Sequence, residues 1–242
     1  VHGDHIEMSQ PLGADVVSQR QEARLPAALP GVHVPGEEVE GEPMFRALKA
    51  GLGAPGTVMV DADGDRFCNE AFWQDFVSRV GQIDVFGGDF AHVPCYLVLD
   101  SRHREQYPIA GIEPGRDLSS QVGERADSLA GLAEALGIDP AGLEATVKRF
   151  NEHAAEGRDP DFRRGGTPHE EKFRGDPTHE PNGNLAPLEE PPFYGFEVTP
   201  VGNGVPSTGL RIDEHARVVD VGGDPITGLY AAGNSAAFTD TG

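Results

Sequence analysis

The sequence predicts an α+β fold in which a middle domain is inserted between two pieces of another. Three observations carry that prediction. Short β-branched runs gather toward both ends of the chain, at Ala14–Val17 and again after Pro192. The clearest helical periodicities lie between them, over residues 129–154. The separating stretches, 18–55 and 158–192, draw heavily on the 32 Gly and 20 Pro of the 242 residues and read as irregular connections.

Taken in order, residues 1–17 predict a short helix with Ile6, Met8 and Leu12, then Gly13 and a strand start. Thr57–Val60 is a β-branched strand, Asp61–Asp65 a turn, and Arg66–Cys68 resumes extended structure. Phe72, Phe76, Val77 and Val80 recur at helical spacing, and Tyr96–Leu99 is a second short strand ending in Asp100. Asp127 or Ser128 can cap a helix carrying Leu129, Leu132, Ala133 and Leu136, which Gly137 stops. Asp139 then caps a second helix with Pro140 at its first position and Leu143, Val147, Phe150 and Ala154 on one face. Strands follow at Phe193–Thr199, Leu210–Asp213, Arg217–Asp220 and Leu229–Ala231, with a tight turn at Gly222-Gly223-Asp224. In the terminal segment Gly228–Gly242, a strand runs into small residues and Ser235–Ala237 read as a first helical turn, whose free N–H groups suit a polar ligand.

Composition excludes several functions. Forty acidic against 19 basic side chains give a formal charge of −21, a field that repels nucleic acid and anionic membranes. No basic start with an apolar run marks a secretory leader, and no stretch reaches the roughly 18–20 apolar residues of a membrane span. Cys68 and Cys95 are too few for a disulfide scaffold or a four-thiolate metal site. Both sit in apolar runs and are expected as buried free thiols, which points to the cytoplasm.

Motifs narrow the chemistry further. Asp61–Asp65 lacks the full calcium-loop spacing and reads as a hairpin turn. The nine histidines form no paired ligand spacing, so no metal is assigned. Ser207 stands in no nucleophile elbow. No GxGxxG occurs, and Gly51-Leu52-Gly53 lacks both the third Gly and a preceding strand.

Longer strings carry more. Gly56–Glu70 (GTVMVDADGDRFCNE) resembles a segment of the flavoprotein superfamily that holds fumarate reductase and succinate dehydrogenase flavoproteins with the 3-ketosteroid dehydrogenases. Thr146–Asn151 with Gly157–Gly165 (GRDPDFRRG) resembles a signature of the ketosteroid dehydrogenase-like branch. Pro192-Phe193-Tyr194, Gly209–Asp220 and Pro225–Asn234 match in order, as do Gly3-Asp4 and Leu12–Ala14, so the likeness covers nearly the whole chain. It implies an FAD enzyme that exchanges a hydride and a proton with adjacent carbons, a protein acid or base handling the proton. It also implies three parts: the end of a first flavin-domain segment with a linker (1–50), a cap or substrate domain (51–190), and a returning, incomplete flavin-domain segment (191–242). The implied cofactor contacts are Ala232, Gly233, Asn234, Gly209 and Glu70. The implied substrate contacts are Phe72, Trp73, Gln74, Ser207 and Thr208.

The departures are informative. Where fumarate reductases carry a proton-delivering Arg before an Asp, this chain has Gln74-Asp75; where they carry a fumarate-binding His it has Val205, and a Gly-Gly pair has become Thr208-Gly209. The ketosteroid dehydrogenase Tyr near the Gln74 position is absent too. Gln neither gives nor takes a proton near neutral pH, so the catalytic acid or base is left unassigned, and the expected role of Gln74 is orientation. Loss of both cationic groups argues against a dicarboxylate, while Phe72 and Trp73 suit a hydrophobic substrate, which the resemblance implies is steroid-like or otherwise ketone-bearing. The expectation is a flavoenzyme fragment, truncated at both ends, that alone neither holds FAD tightly nor turns over. Its partners would be a small-molecule substrate, an unidentified electron acceptor and its own flanking segments. The alternatives are a cap-derived binding domain without flavin, and a fumarate/succinate-type oxidoreductase.

Overall fold

The computed structural model describes residues 3–18, 28–119, 121–202 and 208–237. They divide into two compact units, Leu29–Val201 and the pairing of Val1–Ala28 with Gly202–Gly242. In chain order the elements begin with α1 (Asp4–Ser9), a 3-10 turn (Gln10–Leu12) and β1 (Val16–Ser18). Next come β2 (Ala28–Val39), β3 (Glu42–Ala47), β4 (Thr57–Asp61), α2 (Trp73–Val80), β5 (Ile83–Asp84), β6 (Asp89–Phe90) and β7 (Cys95–Leu99). Then follow α3 (Ser101–Gln106), β8 (Glu124–Ala126), α4 (Leu129–Leu136), α5 (Pro140–Ala154), α6 (Pro168–Arg174) and β9 (Phe193–Gly202). The last are β10 (Thr208–Leu210), β11 (Arg217–Val219) and β12 (Pro225–Tyr230).

The central unit is built on a sheet of order β3-β2-β9-β7-β4, with β8 pairing β9. β4 and β7 run antiparallel, Val58 opposite Val98 and Val60 opposite Tyr96, and every residue of both strands is buried. That explains their unbroken apolar runs, since both faces are covered. On one face Val58, Val60, Tyr96 and Val98 pack with Leu132 and Ala133 of α4 and with Leu143, Val147, Phe150 and Ala154 of α5. The caps that the sequence predicts for these helices form: Ser128 Oγ accepts from Gly131 N–H (3.1 Å) and Asp139 Oδ2 from Gly142 N–H (2.9 Å). The Asp61–Asp65 turn docks on α5, with Asp139 N–H donating to Ala62 O (2.8 Å).

Residues 18–55 are not an irregular connection throughout. They contain β2 and β3, whose Leu29, Val32 and Val34 are buried. The Pro and Gly residues that argued for a loop sit at an irregularity: the β2–β3 register shifts between His33 and Glu38, where Pro35 and Gly36 lie. The compact unit is accordingly wider than 51–190 at both ends, because β2, β3 and β9 belong to its sheet. Residues 158–192 likewise hold α6, and α3 follows directly on Asp100.

In the other unit, β1 pairs antiparallel with β10 and β11 with β12 around Ala14, Leu210, Val218, Ala231 and Ala236. After β12 the chain makes a 3-10 turn over Gly233–Ser235 rather than opening an α-helix at Ser235. The reason is local pairing: Ala236 forms a parallel bridge to Leu210, and Ala237 N–H donates to Leu210 O (2.8 Å). No helix among the described residues is long and apolar enough to cross a membrane.

Candidate active site

The central unit places Glu70 and Phe72 on a short, heavily braced turn between β4 and α2, and Trp73 and Gln74 in the first turn of α2. Asn69 braces it from within: its N–H donates to Asp75 Oδ2 (2.9 Å), and its Oδ1 accepts from Ala71 N–H (3.0 Å). Asn69 Nδ2 also donates to Glu170 Oε1 (2.6 Å) and Phe162 O (3.2 Å), tying the turn to α6 and to the loop before it. Gly53 lies against Ala71 with φ +90°, and a Cβ there would stand 2.6 Å from the Ala71 Cα, so only glycine fits.

Beneath the turn lies a buried charge network. Glu70 accepts from Met59 N–H (2.9 Å), from Arg66 Nε (2.9 Å) and Nη2 (2.7 Å), and from Arg164 Nη1 (3.2 Å). Arg66 also donates to both oxygens of Asp159 (2.9 and 2.8 Å), and Arg164 to the carbonyls of Thr57 and Ala54 (both 2.6 Å). The side chains of Glu70 and Arg164 are 0% exposed. The RFCNE and GRDPDFRRG strings are thus two halves of one network. Arg66 and Glu70 come from the first, Asp159 and Arg164 from the second.

Burial opposes ionisation of Glu70, yet the pull of Arg66 and then Arg164 holds its carboxyl below the ordinary range. Burial works against Asp159 as well, and the hydrogen bonds and charge of Arg66 hold it low. Both groups bind protons more weakly folded than unfolded, so their stabilisation is complete above the unfolded values near pH 4. It is lost as pH falls through the depressed folded values. The melting temperature should therefore hold between about pH 7 and 5 and fall steeply below about pH 4; a melting temperature still flat at pH 3 would show that the pairs contribute nothing.

The hydrogen bonds that the Glu70 carboxylate accepts all come from Met59, Arg66 and Arg164. Above it, Phe72 is 40% exposed and Trp73 and Gln74 are half-buried. Gln74 Oε1 is enclosed without a hydrogen-bond partner. Gln74 carries the helix start only through its backbone carbonyl, which accepts from Ser78 Oγ (2.8 Å).

In the other unit, Ala232, Gly233 and Asn234 form an exposed turn. Gly233 has φ +58°, and nothing lies within 4 Å of where its Cβ would stand, so the turn keeps an open side that fits a group lying along the backbone. Gly209 serves the packing of the unit itself, because a Cβ there would meet the Ala236 carbonyl carbon and Ala237 nitrogen at 2.5 Å. Thr208 Oγ1 shares a hydrogen bond with Ser18 Oγ (2.9 Å). Ser207, Val205 and residues beyond Ala237 lie outside the described residues.

The fold matches known proteins along its length. The family model for an FAD binding domain covers residues 1–241. The chain belongs to this FAD binding domain family, and FAD is its cofactor. It is 35% identical over 96% of its length to 4-oxocyclohexanecarboxylate 2-dehydrogenase of Sinomonas cyclohexanicum, covering 40% of that protein. With 3-oxosteroid 1-dehydrogenase of Mycobacterium tuberculosis it shares 36% identity over 81% of this chain and 36% of the relative. Among solved structures it matches a 3-ketosteroid delta1-dehydrogenase from Sterolibacterium denitrificans, in complex with 1,4-androstadiene-3,17-dione. That match has a TM-score of 0.81 and 32% identity, and covers 98% of this chain and 42% of that one. The chain thus spans about two fifths of the length of the curated relatives it matches.

Sequence reasoning missed the bracing residues and two aromatic neighbours. His169 packs edge-on against Phe72 (ring centroids 6.4 Å, 90°) and against Phe173 (4.7 Å), and Phe173 is exposed. A signal for α6 was available. Thr167-Pro168-His169-Glu170 is a capping box with proline at the first helical position, and Glu170 N–H donates to Thr167 Oγ1 (3.3 Å). The cysteines are buried free thiols; burial pushes Cys68 up, and burial pushes Cys95 to about 12, so neither is a nucleophile.

Proposed function

We propose that this chain forms part of an FAD-dependent oxidoreductase acting on a CH–CH bond of a hydrophobic, ketone-bearing ring substrate. One observation carries the choice of substrate. The guanidinium groups packed around the Asn69–Asp75 turn are all engaged: Arg66 by Glu70 and Asp159, Arg164 by Glu70, and Arg79 by Asp75. None is left to pair a substrate carboxylate, and what the turn presents instead is Phe72 and Trp73 beside an amide. A dicarboxylate, whose recognition rests on free cationic donors, finds none of these arginines open. The names of the relatives support the ring-ketone part of this reading, since they are dehydrogenases of 4-oxocyclohexanecarboxylate and of 3-oxosteroids.

Ala232, Gly233 and Asn234 would hold FAD, which when bound would supply the two-electron hydride carrier. Phe72 and Trp73 cover an apolar ring face and exclude water from it. Gln74 orients the substrate through its amide and moves no proton. The buried pairs below keep the turn rigid, so that orientation costs little on binding. A binding module with no flavin role has no observation in its favour. The test is turnover, by the FAD-loaded full-length protein that contains this chain, of cyclic ketones against succinate and fumarate. A ring-ketone preference of at least about 100-fold in kcat/KM, some 2.7 kcal/mol, is expected; equal or better use of the dicarboxylates would refute the proposal.

A further inference from the structure

The central unit holds a cavity of about 570 Å³, a size that suits a small organic molecule. It lies between the Asp61–Asp65 turn, α2 and α5, and Phe72, Trp73 and Gln74 are not among the residues that line it. Phe67, Phe150 and Phe162 give it apolar walls, and Thr146 adds a hydroxyl. Each lining arginine has an acidic partner: Arg66 has Glu70 and Asp159, Arg79 has Asp75 (2.9 Å), and Arg149 has Asp161 (2.8 Å). Arg66 and Arg79 also lie over the Phe162 ring, their guanidinium carbons 5.0 and 5.1 Å from its centre.

The acceptors of the lining are less fully used. Asp65 engages only through its main chain, its N–H donating to Asp61 Oδ1 (3.0 Å) and its carbonyl accepting from Asp61 N–H (3.1 Å). Its carboxylate is exposed at the rim, with no hydrogen bond or ion pair to another described residue. His92 lies flat on Phe67 (ring centroids 4.6 Å, planes 8° apart), and its Nδ1 bonds Asp61 Oδ2 at 2.9 Å. A carboxylate only accepts, so Nδ1 carries the hydrogen; Nε2 of the neutral ring is then a bare acceptor, with no donor among the described residues. With the ring neutral, neither Asp61 nor Asp65 has a cationic partner, whereas every lining arginine has an anionic one.

We propose that this cavity is a binding site for a small organic ammonium that carries an apolar ring. The N–H groups of such a ligand supply the donors that Asp65 and His92 Nε2 lack, and its charge offsets the uncompensated carboxylates. Its ring covers the phenylalanine walls. An anion of the same shape meets the same carboxylates and is repelled. Arg66 forms part of the cavity wall and is held by Glu70 and Asp159, so occupation adds contacts to the network that braces the Asn69–Asp75 turn. The inference does not rest on the ring-ketone reading.

The test titrates 2-phenylethylammonium into the full-length protein that contains this chain, by calorimetry at about pH 8, where an alkylamine is still protonated. Two probes of similar size are run beside it, neutral 2-phenylethanol and anionic phenylacetate. The ammonium should bind at least about tenfold more tightly than either and should raise the melting temperature. Asp65→Asn changes an exposed side chain and keeps the main-chain bonds of its turn, and it should weaken that binding by about tenfold or more. His92→Phe keeps a ring on Phe67 and removes the Nε2 acceptor; it should weaken binding by about threefold or more. Phenylacetate that binds as tightly as the ammonium, or either variant with the affinity of the parent, overturns the inference. So does the absence of binding by 2-phenylethylammonium up to about 10 mM. Each of these results leaves the ring-ketone reading standing.

Discussion

Glu70→Gln should lower the unfolding free energy of the protein by about 3–5 kcal/mol, although it removes no atom of bulk. The reason is asymmetry. Arg66 keeps Asp159 as a counter-ion when Glu70 is neutralised, but Arg164, fully buried, has Glu70 as its hydrogen-bonded carboxylate. A guanidinium left without its counter-ion in that setting carries its desolvation penalty uncompensated. The exposed pair Arg158–Glu156 provides the contrast, because solvent screens it and its removal should leave stability nearly unchanged. Urea denaturation followed by Trp73 emission measures both. A Glu70→Gln loss below about 1 kcal/mol would mean that the network is incidental to stability.

The second large effect concerns the other unit. Gly209→Ala places a methyl 2.5 Å from the backbone of Ala236 and Ala237, which no rotamer relieves because the atoms met are main chain. The parallel bridge from Leu210 to Ala236 has to open, and the Gly233–Ser235 turn just before it shifts. A strain of about 1–3 kcal/mol is expected, with FAD affinity falling by about tenfold or more. Flavin titration with each protein measures it. Unchanged affinity would separate the Ala232–Asn234 turn from cofactor binding.

What the sequence made legible was local. The helices at 129–136 and 140–154 announce themselves through Ser128, Asp139, Pro140 and Gly137, and their buried faces follow a 3.6 period. The β2 and β3 strands were hidden because Pro30, Gly31, Pro35 and Gly36 speak for a loop unless the irregular register that absorbs two of them is known. α6 was hidden in a polar, proline-rich stretch despite its capping box. The site was legible only in outline. Phe72, Trp73 and Gln74 are adjacent in sequence, but their support is not: Glu70 meets Arg164 across 94 residues and Asn69 meets Glu170 across 101. Such pairs leave no periodic trace, and resemblance brought the two strings to notice without saying that they bond to each other. His169 left still less trace, since its place beside Phe72 depends on that long-range clasp.

The central claim is what exchanges electrons with the flavin. In an anaerobic titration of the FAD-loaded full-length protein that contains this chain, a saturated ring ketone should bleach the visible flavin absorbance, or its ring-unsaturated counterpart should restore the absorbance of the reduced flavin. Succinate and fumarate should do neither. Flavin that responds to the dicarboxylate pair and ignores both ring ketones would contradict the account at its centre.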